Sequence, residues 1–324
     1  MTTNPLRGFA LGAALVLASA PFAQAAKLSI GLSTWVGYGP LYIAQDKGFF
    51  KEEGLDVDLV KMEDVKTRMP ALMAGRLDLA VTTIDTVLNF YSPDHPLDYV
   101  FALDDSKGGD GIVAKDTITS VADLKGKTVA YAEGSVSQFF LSVLLKNVGL
   151  KLSDVKTQNM TAGDAGAAFV AGRVDAAVTW EPWLTRGKMA PHSKLLIDSS
   201  TTPGLITDVL VASDATVKAN PDELKALYRA WVKAVDWQKA NEAEADAIMA
   251  KGVGGWLDDP AVFKDTRSGI VFYDDAMNKA FIGTAAAPGG ITTTIGNALE
   301  LGKEGGLFNL DLKPADMIAF GIVQ

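Results

Sequence analysis

The sequence predicts an α/β protein built from two similar lobes, and three observations carry that prediction. A nonapeptide is written twice, as AGRLDLAVT at Ala74 to Thr82 and AGRVDAAVT at Ala171 to Thr179, 97 positions apart (171 − 74). Strand-like and helix-like segments alternate through most of the first 213 residues. The chain of 324 residues also exceeds the roughly 250–300 at which single cores stop growing. A solenoid would need more copies at a period of roughly 20–50 residues. Two lobes, each turning one equivalent helix-to-strand corner, fit the spacing. Gly75 and Gly172 stand where a helix should end in a left-handed residue. The apolar runs LAV and AAV that follow are short enough for buried strands.

The elements follow in order. Lys27 to Ser33 reads as a strand, Leu41 to Gly54 as a helix stopped by Gly54, and Leu55 to Met62 as the next strand. Val65 to Gly75 is a helix leading into the first nonapeptide strand, and Asp98 to Ser106 a strand before the glycine-rich link Lys107 to Gly111. A second unit starts afresh: strand Gly126 to Glu133, helix Gly134 to Gly149 with serine at its start, helix Asp164 to Gly172, then the second nonapeptide. Lys194 to Ser200 and Asp208 to Asp214 supply two more strands. From Asn220 the pattern turns helical, opened by Pro221 at a first-turn position, with loops at Gly252 to Gly255 and Ala287 to Gly290. Such alternation implies parallel sheets covered by helices, with ligands beyond the carboxyl ends of the strands. Both nonapeptide tails, TIDTV and WEPWL, fall there.

Composition narrows the function. Arg7, the apolar run Leu11 to Ala20 and Ala23-Gln24-Ala25 have the order of an export signal, and the run falls short of the ~20 residues of a spanning helix. Cleavage near Ala25 would remove one positive charge, taking the net charge from −9 to −10 (−9 − 1), a balance that argues against nucleic acid and anionic membranes as partners. With no cysteine in the chain, disulfides, thiolate metal sites and thiol nucleophiles are excluded. A periplasmic location is expected. His95 and His192 lie in loop-like stretches with no nucleophile elbow or carboxylate pattern nearby, and GGDG lacks the residues of a phosphate loop. No catalytic residue, metal site or cofactor is expected.

The stretch GLSTWVGYGPLYIAQDKGFFKEEGLDVDLV contains A-x-x-K-G-F-F-x-x-x-G-L-x-V at Ala44 to Val57, followed in order by ALMAGRLDLAVT, DLKGKTVAYAEGS and FVAGRVDAAVTWEPW. Over essentially the whole mature chain this resembles the substrate-binding proteins of ABC importers in the nitrate/sulfonate/taurine/thiamine-precursor (NitT/TauT-like) group. The resemblance implies a two-lobed periplasmic-binding-protein fold of type II, each lobe a mostly parallel sheet with flanking helices, joined by two crossover strands. It places residues 26–110 and 207–324 in lobe 1 and 111–206 in lobe 2. It also implies a monomer that closes by a hinge motion on a small-molecule solute and delivers it to the membrane subunits of an ABC permease. Some relatives in the group are biosynthetic enzymes of pyrimidine precursors.

The candidate site residues lie at the strand ends. Trp35 and Tyr38 follow the first strand in STWVGYGP, whose glycines suit a loop close to a ligand. Trp180 and Glu181 follow the second nonapeptide, where indole faces attract cations and a carboxylate supplies countercharge. Glu181 could instead serve the start of the next helix. Asp104 and Asp110 lie where the chain should cross between lobes, and Asp85 and Asp208 at other strand ends. Ser135 begins a helix whose free N–H groups form a natural anion site, and the matching region contacts the anion in sulfonate and nitrate binders of the group. In the three candidate loops only Lys107 is basic. That balance favours a cationic or zwitterionic nitrogen compound, guanidine-like, urea-like or an amine. The alternative is an anion such as taurine, an alkyl sulfonate or nitrate.

Overall fold

The computed structural model describes Met1, residues 25–254, Leu257 and residues 259–323. The export signal read through Arg7, Leu11 to Ala20 and Ala23-Gln24 lies outside the described residues, as does Gly255 of an expected loop.

Eleven strands occur among the described residues: β1 (Ala26–Leu32), β2 (Leu55–Lys61), β3 (Leu79–Thr83), β4 (Leu97–Ser106), β5 (Asp110–Lys115), β6 (Thr128–Tyr131), β7 (Lys156–Asn159), β8 (Ala176–Trp180), β9 (Ser193–Asp198), β10 (Thr207–Ser213) and β11 (Ile270–Phe272). They form two sheets, ordered β11-β4-β10-β3-β1-β2 and β7-β6-β8-β5-β9. The chain passes between the sheets from β4 to β5 and from β9 to β10. Within each sheet the repeated units pair in parallel, β1 with β2 and β3, and β6 with β7 and β8. The remaining pairs are antiparallel: β10 with β3 and β4, β11 with β4, and β5 with β8 and β9. The reason is topological. A strand that has just crossed from the other lobe begins at the cleft edge, so it runs against the strands that end there.

Three local departures from the sequence pattern have simple causes. The helix expected from Leu41 to Gly54 is two helices, Gly39–Asp46 and Phe49–Glu52, because Gly48 takes φ 77° between them. The region after Asn220 includes the short edge strand β11, three residues that carry no alternation of their own and pair only because β4 lies beside them. Gly252, expected in a loop, lies within the helix Glu242–Val253, where its missing side chain admits Tyr42; a Cβ there would come within 2.3 Å of that ring.

The repeated nonapeptide has a structural purpose. Gly75 and Gly172 adopt φ 67° and 71°, ending the helices Val65–Met73 and Ala162–Val170. Neither glycine is crowded within 4 Å, so the backbone angle is what requires it. Three residues later the repeat places an aspartate that grips the neighbouring parallel strand. Asp78 accepts from the backbone N–H and hydroxyl of Ser29 in β1, both at 2.7 Å. Asp175 accepts from the Thr128 N–H of β6 at 2.9 Å and from Lys115 at 2.6 Å. β3 and β4 are buried along their full lengths. The helix Pro221–Ala240 seals the larger sheet through Trp231, which is fully buried and donates its indole N–H to the Tyr273 carbonyl at 2.9 Å.

Replacing Asp78 by alanine is expected to cost about 1–3 kcal/mol, since it leaves the Ser29 N–H without an acceptor. Urea unfolding of the variant checks this, and a change below about 0.5 kcal/mol would remove Asp78 from the strand junction.

Candidate functional site

The carboxyl ends of both sheets meet around a partly open cavity of about 270 Å³, at the small end of ligand pockets, which run to roughly 300–1,000 Å³. Six residues singled out from the sequence line it: Trp35, Tyr38, Asp110, Ser135, Trp180 and Asp208. Asp85, Asp104 and Glu181 are equally buried but do not line it.

Glu181 and Asp104 are occupied elsewhere, and Asp85 is buried beside its own helix start. Glu181 accepts from the Thr185 N–H at 2.9 Å, from the Thr185 hydroxyl at 2.8 Å and from Lys188 at 3.2 Å. It therefore serves the start of the helix Trp183–Lys188, and its carboxylate does not face a solute. Trp183 packs against Gly163 and Gly166 of the preceding helix. Asp85 lies in the first turn of the helix Ile84–Phe90 with its Oδ1 unpartnered. Burial raises its pKa to about 7, against weaker opposing hydrogen bonds from Thr83 and Thr86.

Asp104 lies behind Trp35. In the antiparallel register Asp104 stands opposite Asp208, placing the two carboxyl groups on one face. The turn after β1 supplies a donor to each. Trp35 donates its indole N–H to both Asp104 oxygens at 3.3 Å, and the Tyr38 hydroxyl donates to Asp208 Oδ1 at 2.6 Å. Burial, then the neighbouring Asp208, pushes Asp104 well above the usual carboxyl range. Burial raises Asp208 to about 7, against the Tyr38 hydrogen bond, and raises Asp110 well above its ordinary value. Counting aspartates therefore overstates the negative potential, since desolvated carboxyl groups crowded together retain protons.

The sequence reading missed the one buried base among the described residues. Arg68, on the helix Val65–Met73, is 3% exposed and lines the cavity. One terminal nitrogen donates to the Met62 carbonyl, and its Nε has no partner. Its stem passes beneath Gly31, where a Cβ would come within 3.2 Å of Arg68 Cγ. Burial lowers its pKa, opposed by Tyr38, Glu63 and Asp208. The available signal is its position one turn into the helix that follows β2. Thr82, Thr83 and Thr86, written in the first nonapeptide and its tail, also line the cavity, with Glu63 and Asn159.

Ser135 caps the helix Val136–Asn147, its hydroxyl accepting from the Ser137 N–H at 3.2 Å and donating to the Ala132 carbonyl at 2.8 Å. The two halves touch across the cleft. Trp180 donates its indole N–H to the Thr34 carbonyl at 2.8 Å, and Lys66 pairs with Glu133 at 2.9 Å. His95 and His192 are both exposed and away from the cavity.

The profile of the family described as NMT1/THI5 like matches residues 35–245, more than half of the chain. The chain belongs to the NMT1/THI5-like family. A Brucella abortus member, provisionally named a binding protein, is 27% identical over 214 residues, covering 64% of this chain and 66% of its own length. A Bacillus subtilis protein, provisionally named an aliphatic sulfonates-binding protein, is 29% identical over 234 residues, 70% of each chain. An Aspergillus parasiticus protein named 4-amino-5-hydroxymethyl-2-methylpyrimidine phosphate synthase is 25% identical over 295 residues, 86% of this chain and 81% of its own. The crystal structure of the periplasmic aliphatic sulphonate binding protein SsuA from Escherichia coli superposes with a TM-score of 0.72 at 21% identity, covering 90% of this chain and 97% of that one. This NMT1/THI5-like chain thus has the two-lobed α/β fold of periplasmic binding proteins.

A carboxyl group whose folded pKa is raised stabilises the fold below its unfolded pKa, and that stability is lost as pH rises through the folded value. For Asp85 the window runs from about 4 to about 7. Asp85→Asn should therefore gain stability relative to wild type by more than about 1 kcal/mol between pH 4 and pH 8. Unfolding titrations at those two pH values measure it, and a constant difference would mean Asp85 ionises normally.

Proposed function

We propose that the protein is an extracytoplasmic solute receptor of an ABC importer, exported with a signal cleaved near Ala25. It closes lobe 1 (26–110 and 207–324) and lobe 2 (111–206) as a monomer on a small solute carrying an anionic head group, for delivery to the permease subunits. The observation that carries the ligand class is Arg68, a buried guanidinium that lines the cavity and whose Nε has no partner. A buried guanidinium left unsatisfied is costly, and an oxyanion would satisfy it with a charge-assisted hydrogen bond. The Bacillus subtilis relative named for aliphatic sulfonates supports the same class. The threonine hydroxyls of the lining add donors, as would protonated Asp110 and Asp208. The cationic solute expected from the sequence rested on the aspartates and on Lys107 being the one base of the candidate loops, and the buried Arg68 changes that balance.

A second reading within this class has its own observation. Asp110 and Asp208 line the same cavity as Arg68, so a zwitterion such as taurine could place its ammonium on them and its sulfonate on the guanidinium. The receptor reading predicts binding without turnover, whereas an enzyme of pyrimidine-precursor metabolism would convert its ligand.

Isothermal titration of the mature chain with ethanesulfonate, taurine, nitrate and guanidine is the test. Binding of ethanesulfonate or taurine is expected, unchanged ligand being recovered afterwards. Arg68→Met should weaken that binding about 10-fold or more. Guanidine binding with no response to any anion would sink the anionic reading.

A further inference from the structure

Trp35 is held at three points, and only one of its surroundings is the cavity. Its indole N–H is shared between both oxygens of Asp104. A Cβ built on Gly37 would come within 2.2 Å of that indole nitrogen and of Asp104 Oδ2. At the far end of the ring, a Cβ on Gly109 would come within 2.5 Å of Trp35 Cη2. Gly109 belongs to the link between β4 and β5, one of the two places where the chain passes between the sheets. The ring therefore sits in a slot made by two glycines and closed by one carboxyl group that the cavity never reaches.

We infer that Asp104 is a positioning residue, which fixes the Trp35 indole as a wall of the solute cavity and seats it against the Gly109 crossover. The companion aspartate across the ladder, Asp208, holds Tyr38 from the same turn. The cross-strand pair thus clamps the whole turn Trp35 to Tyr38 onto the sheet. A carboxyl group that looks from the sequence like a solute's countercharge acts instead through an aromatic ring. Geometry gives the reason: the bifurcated contact sets the ring's rotation as well as its distance, and no other indole N–H acceptor for Trp35 occurs among the described residues. The ring's contact with the crossover also means that displacing it would alter both the cavity wall and the segment about which the lobes turn.

The functional consequence rests on the reading that the cavity takes the solute, so the test has one arm that needs no ligand. The protein is labelled with 5-fluorotryptophan, and the Trp35 line among its six tryptophans is assigned by its loss in Trp35→Phe. In Asp104→Asn the amide oxygen still accepts, and a single sharp Trp35 line near the wild-type position is expected. In Asp104→Leu that line should split, broaden or move more than the other five. Should Asp104→Leu fail to fold, Gly109→Ala pushes on the opposite end of the ring and should move the same line selectively. A Trp35 line that stays put in the folded Leu variant or in Gly109→Ala overturns the positioning role. The second arm titrates ethanesulfonate: about 10-fold weaker binding in Asp104→Leu, restored in Asp104→Asn, supports the inference, and equal affinity in all three proteins overturns its functional part. Absence of ethanesulfonate binding in the wild type would count against the proposed function alone, leaving the fluorine result to decide the positioning role.

Discussion

One arginine buried among carboxyl groups is the constraint around which the ligand cleft is arranged. Arg68 lies under β1, beneath a glycine that leaves it room, and its surroundings include Tyr38, Glu63 and Asp208. A lone guanidinium at that depth would be strongly unfavourable without opposing groups, and a set of ionised aspartates would be equally unfavourable without a cation. The site settles between these limits. Desolvation raises the carboxyl pKa values, the guanidinium offsets part of the remaining charge, and the guanidinium Nε is left without a partner.

This explains how an acidic lining is compatible with relatives named for sulfonates. The sign of a cavity's potential depends on how many acids ionise, and burial decides that number. Protonated carboxyl groups are hydrogen-bond donors. A protonated carboxyl group in such a lining would donate to an oxyanion, and an ionised one would accept from an ammonium or water. Asp110 and Asp208 are placed to do either, because both face the same small space as Arg68.

The second constraint is that the cavity has no wall of its own on one side. Trp180 comes from β8 of the smaller sheet, yet its indole N–H is bonded to the Thr34 carbonyl beside Trp35 on the larger one. Lys66 and Glu133 meet across the same cleft, and Asn89 reaches the Gly134 carbonyl at 3.4 Å. Residues of both halves therefore complete the cavity together. A solute that touches both halves stabilises this arrangement by its differential affinity for it.

The sequence by itself determined the local grammar. The duplicated nonapeptide announced two equivalent corners, each closed by a left-handed glycine and an aspartate bonded to the neighbouring strand. The alternation announced the layers, and the aromatic residues after β1 and β8 could be placed at strand ends without coordinates. Tertiary structure alone decided which of the charged residues share a space. Asp104 and Asp208 are 104 positions apart (208 − 104), and they become neighbours only through an antiparallel ladder created by the chain's return from the other lobe. Glu181, written between two tryptophans, is turned away by hydrogen bonds to its own helix, while Arg68, written in an ordinary helix, is turned inward. Side-chain direction at a strand end depends on register and on the helix that follows, and neither is encoded in the residues on which the chemistry depends.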